Sequence, residues 1–155
     1  MQPTHRLPWH ALTLFVMALL DVVSPVASVA RDLVPGPVEA RVVRVVDGDT
    51  LAVVARVWPG HEVSVKVRIR GIDAPEKSAR CPRERELALS AQRRLENLVH
   101  RGPVYLSNIS GGKYWGRVLA DVRTPEGESV EFVLLSSGLV ARYERRRKTS
   151  WCATG

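Results

Sequence analysis

The clearest order in the chain is an alternation. In EVSVKVRIR, residues 62–70, Val63, Val65, Val67 and Ile69 alternate with Glu62, Ser64, Lys66, Arg68 and Arg70. A period of two predicts a half-buried strand, valines inward, with Arg68 and Arg70 on the opposite face. Two valine-rich runs precede it, EARVVRVV at 39–46 and LAVVARVW at 51–58. DGDT at 47–50 and Pro59-Gly60 read as the turns between these strands, since Asp-Gly favours left-handed backbone.

After Pro82 the period becomes helical. Leu87, Ala91, Leu95, Leu98 and Val99 form one apolar stripe, Glu84 and Glu86 complement the helix N-terminus, and Gly102 marks the end. PVYLSNI (103–109) and GRVLADVRT (116–124) read as strands around the loop GGKYW (111–115). SVEFVLLSSG (129–138) reads as a second helix, with Ser129 as N-cap and Gly138 as terminator. Three strands, a helix, two strands and a helix predict a mainly β, α+β domain: a five-stranded OB-fold barrel with two packed helices. Such barrels commonly bind oligonucleotides, but the fold alone does not assign a function.

The first thirty residues differ from the rest. A weakly basic start, MQPTHRLPWH, leads into ALTLFVMALL at 11–20 and then VVSPVASVA, which ends in small residues. That layout predicts a secretory signal peptide over 1–30, cleaved after Ala30. The apolar block falls well short of the roughly 20 residues a membrane span needs, so no stable span is expected after cleavage. Residues 31–38 read as an extended linker, because Pro35 and Pro37 exclude a helix, and 39–155 as the domain. The protein is expected to be exported, to the periplasm or the medium, and to act as a monomer.

The net charge is +7, and removing 1–30 leaves it unchanged, since Arg6 and Asp21 cancel. Such a surface attracts nucleic acid, anionic lipid or acidic glycan, without choosing among them. The run RYERRRK at 142–148 reads either as a solvated tail or as part of that contact. The two cysteines, Cys81 and Cys152, would pair in an oxidising compartment; two free thiols are the alternative. No CxxC is present, and only His61 and His100 follow the leader, which disfavours zinc.

The candidate chemistry lies in a few polar residues. Asp49 sits at the first turn, Asp73 and Glu76 follow the third strand, and Pro75 stiffens their loop. Two aspartates brought together repel unless a cation joins them, and an all-oxygen set suits a hard ion. Arg68 and Arg117 could match the oxygens of a phosphodiester, and a carboxylate off the metal could take a proton from water. Singly, each residue also reads as a hairpin turn, a solvated strand face or a surface ion pair.

Jointly they form a pattern. VVDGDTLAV (45–53), VRIRGIDAPE (67–76), KYWGRVLADV (113–122) and SSGLVARY (136–143) resemble the thermonuclease, or staphylococcal nuclease-like, family over about residues 38–143. The resemblance implies Ca²⁺-dependent cleavage of DNA and RNA by an OB-fold barrel. It implies Asp49 and Asp73 as metal carboxylates, Arg68 and Arg117 as phosphate-binding arginines, and Glu76 as general base. Tyr114, Trp115 and Tyr143 fall at substrate-side positions. Ala74 stands where the archetype has Thr, and Trp115 where it has Tyr. The long C-terminal helix of the archetype is not expected before Gly155; a Cys81–Cys152 bridge would pin the tail instead. The rival reading is a non-catalytic OB module that binds nucleic acid without cutting it.

Overall fold

In the computed structural model, residues 33–112, 116–144 and 150–152 are described. The expected signal peptide, the first two linker residues, Tyr114, Trp115 and the part of the basic run after Glu144 lie outside them.

The alternating segments form a meander. Strand β2 spans Val38–Asp47, β3 Thr50–Trp58 and β4 His61–Ile69, each antiparallel to the next. Val67 and Ile69 are fully buried, Val65 partly, and Val63 is 46% exposed. The apolar face of β4 therefore outruns the core: the far end of the β3–β4 hairpin carries Val57, Trp58 and Val63 into solvent.

Helix α1, Pro82–Val99, and strand β6, Val104–Gly111, carry the chain across to β7, Arg117–Arg123. That crossover lets β7 pair with β4 in parallel, Lys66 with Arg117 through Ile69 with Ala120. Strand β7 also pairs antiparallel with β6, and β6 with β2. The circuit β2-β3-β4-β7-β6-β2 closes a five-stranded barrel, which is the expected OB architecture. The core joins Leu51, Val53, Val67, Ile69, Leu106 and Val122 of the barrel to the helices.

Both helices form where expected, with local differences. The buried face of α1 is Ala88, Ala91, Leu95 and Val99; Leu87 is half-buried, so Ala88 takes the place given to it in the stripe. The helix ends at His100, before Gly102. Helix α2, Val130–Ser136, buries Val130 and Leu134; Ser129 caps it by accepting a hydrogen bond from the Phe132 N–H at 3.3 Å. Part of the expected linker is strand β1, Leu33–Val34, added to the edge of β6. A two-stranded piece outside the barrel pairs β5, Ile72–Asp73, with β8, Ala141–Arg142. Two residues are too few to show a period.

Gly48 corrects the reading of the first turn. It is not among the glycines with left-handed backbone. Space makes it glycine: a Cβ there would lie 2.7 Å from the Ala91 Cβ and 2.9 Å from the Ala74 Cβ. The turn is pressed between α1 and the loop after β5. Gly48→Ala should therefore overpack this junction and cost about 1–3 kcal/mol, read as a shift in the urea midpoint. An unchanged midpoint would show that the junction has slack.

Candidate functional site

The β3–β4 register builds the site. Thr50 pairs with Arg68, and the Ile69 N–H donates to the Asp49 carbonyl at 2.8 Å. Nineteen residues apart in sequence, Asp49 and Arg68 thus meet at one end of the hairpin. The Arg68 Nη1 donates to Asp49 Oδ1 at 2.6 Å, and its Nη2 donates to Asp73 Oδ1 at 3.2 Å. One guanidinium bridges the two carboxylates.

Asp49 is held from three sides. Its Oδ1 also accepts from the Thr50 hydroxyl at 2.8 Å, and its Oδ2 from the Ala74 N–H at 3.0 Å. It is only 3% exposed. Burial pushes its pKa up from 3.8 to about 6; Arg68 opposes that rise and Asp47 adds to it. Asp73 is less completely satisfied, because its Oδ2 is buried and has no hydrogen-bond partner.

The β5–β8 pair completes the surroundings. It places Asp73 opposite Ala141, and the Tyr143 N–H donates to the Gly71 carbonyl at 2.8 Å. The Tyr143 ring centroid lies 5.9 Å from the Arg68 guanidinium carbon, within cation–π range. Arg68, Arg117, Leu119, Gly112 and Tyr143 line one cleft of about 420 Å³. The sequence-predicted Asp49, Asp73, Arg68, Arg117 and Tyr143 therefore gather at one end of the barrel.

Glu76 lies on the exposed loop after Asp73, and its N–H donates to Glu84 Oε1 at 3.2 Å. Sequence reasoning gave Glu84 only a helix-terminus role; its contact with this loop carried no signal in the sequence. The Thr50 hydroxyl and the Ala74 N–H were missed as well, although both lie within the motifs at 45–53 and 67–76. Arg70 also lines the cleft, but its Nε donates to Asp121 Oδ1 at 3.1 Å and its Nη2 to the Leu119 carbonyl at 3.2 Å. It ties β4 to β7.

Cys81 and Cys152 form the expected disulfide, with Cα atoms 6.0 Å apart. The bridge fastens the tail to the N-cap of α1, five residues after Glu76, and Cys152 Sγ lies 3.4 Å from Glu84 Oε2.

A closed OB barrel with an acid–arginine cluster at one strand end defines a recognisable class of small β domain. A model of the staphylococcal nuclease homologue family matches residues 66–152, more than half of the sequence, and the chain belongs to that family. It is also 30% identical over 108 residues to an uncharacterized endonuclease of Escherichia coli and to one of Escherichia coli O157:H7. Each match covers 70% of this chain, and the chain spans 63% of the length of these curated relatives. Asp49 precedes the family match; its place in the site rests on the β3–β4 register.

The raised pKa of Asp49 has a measurable sign. Between about 4 and 6 the folded protein keeps a proton that the unfolded chain has lost, so this group makes stability fall as pH rises. Relative to Asp49→Asn, the wild type in chelator should lose about 2–3 kcal/mol between pH 4 and pH 7, by urea unfolding. Parallel stability curves would contradict the shift.

Proposed function

We propose that the protein is an exported, Ca²⁺-dependent nuclease that hydrolyses phosphodiester bonds in DNA and RNA. The observation that carries this reading is the Asp49–Arg68–Asp73 cluster with the buried, unpartnered Asp73 Oδ2. A buried carboxylate oxygen without a donor is costly unless a cation approaches it. The donors around it are oxygens, which fits a hard divalent ion held by Asp49 and Asp73. Ca²⁺ bound there would supply Lewis-acid polarisation of a phosphate oxygen.

The chain's own residues do the rest. Arg68 and Arg117 share the cleft and offer guanidinium donors to the oxygens that gain charge as phosphorus is attacked. Glu76, exposed on the stiff loop beside Asp73, takes the proton from the attacking water. Tyr143, 52% exposed beside Arg68, offers a ring for a base or sugar. Tyr114 and Trp115 are assigned the same work and lie outside the described residues. The net charge of +7 and the names of the relatives support a nucleic-acid substrate. The leader-like first thirty residues and the disulfide support export, since disulfides persist in oxidising compartments. Among the described residues no helix is long and apolar enough to cross a membrane.

The test is cleavage of labelled single-stranded DNA and RNA in Ca²⁺ and in chelator. Cutting should require the metal, and Glu76→Gln should lower kcat by about 100- to 10,000-fold. Tight binding without cutting in any divalent metal would replace the enzyme with a non-catalytic OB-fold binding module.

A further inference from the structure

Arg68 stands with Thr50 and Leu119 in one row across the outer face of the barrel, and the next row is basic. Side chains two apart on a strand share a face, so Lys66 lies on the Arg68 side of β4 and Ala52 on the Thr50 side of β3. The intervening Leu51 and Val67 are fully buried, which fixes the alternation. The register runs Arg44 opposite Ala52, Ala52 opposite Lys66, and Lys66 opposite Arg117. Three cations from four strands thus stand in one row about 14 Å wide, displaced from the Arg68 row by about 7 Å.

Arg44 and Lys66 are exposed, and among the described residues neither has a carboxylate partner. Ala52, between Arg44 and Lys66, leaves the sheet surface low enough for a chain to lie across it. The face continues to a further exposed cation, Arg41, opposite Val54. Beyond that the charge balances, where Arg56 pairs with Glu39 at 3.8 Å and stands opposite Glu62.

We propose that Arg44 and Lys66 form a phosphate track for a single nucleic-acid strand, meeting the cleft at Arg117. Their charge, their lack of acidic partners and their continuity with Arg117 at the cleft select a polyphosphate backbone as the occupant. The track takes its substrate class from the nuclease reading, yet binding along it does not require cleavage. It sets affinity for long substrates and takes no part in bond breaking.

The test is the double variant Arg44→Gln, Lys66→Gln. Affinity for a short labelled single-stranded DNA is measured by fluorescence anisotropy in chelator over a range of salt. Each lost contact removes about 0.7 from the slope of log Kd against log salt, so the slope should fall by about 1.4. In Ca²⁺, KM for the oligonucleotide should rise about tenfold with little change in kcat. Hydrolysis of bis(p-nitrophenyl) phosphate, which has no flanking phosphates, should be unchanged. An unaltered salt slope, or equal losses on both substrates, would overturn the track. If the wild type cuts neither substrate but shows the slope difference, the nuclease reading fails and the track stands.

Discussion

One guanidinium organises this molecule. Arg68 lies between Asp49 and Asp73, and without a positive charge there the two carboxylates would drive the ends of β3 and β4 away from the β5 loop. Other features serve that contact. The hairpin register brings Asp49 to Arg68. Gly48 lets α1 press against the turn that carries Asp49, and β8 returns to hold β5 and to set Tyr143 over the guanidinium. The barrel is the frame in which one cation can face two acids.

That arrangement is expensive in an otherwise apolar core. Asp49 is buried deeply enough to hold its proton to about pH 6, and Asp73 keeps one oxygen without a donor. Hydrophobic packing by Leu51, Val67, Ile69 and Leu95 offsets such costs. A fold selected for stability alone would place an amide or an apolar side chain at Asp49. The unsatisfied acid is what a divalent ion would complete, so the site's instability and its proposed chemistry have one source.

Much of this was legible in the sequence, because the barrel strands and α1 are long enough to show their periods. The alternation of residues 62–70 placed Val67 and Ile69 inside and Arg68 outside, and DGDT with R-x₄-D-x-P-E marked the acids and the arginine that meet. What stayed hidden depends on distant partners. β5 and β8 are two residues each and pair across about seventy positions, so no local pattern announces them. Gly48 sits in the predicted turn, but close packing and not left-handed backbone requires the glycine, and its neighbours Ala91 and Ala74 come from elsewhere in the chain. Arg70 shares a strand face with Arg68 in the sequence pattern, and its tie to Asp121 depends on a partner fifty-one positions away. On α1 the small Ala88 is fully buried and the larger Leu87 only half so, which the spacing of large apolar residues does not announce.

The proposed chemistry stands on Asp49 and Asp73 together holding a cation. Calorimetric titration of Ca²⁺ into the wild type and Asp73→Asn, each at pH 5 and pH 7, tests it most directly. Binding at pH 7 should weaken at pH 5, where Asp49 is largely protonated, and should be lost in the variant. Equal affinity in both proteins, or affinity indifferent to pH, would contradict it.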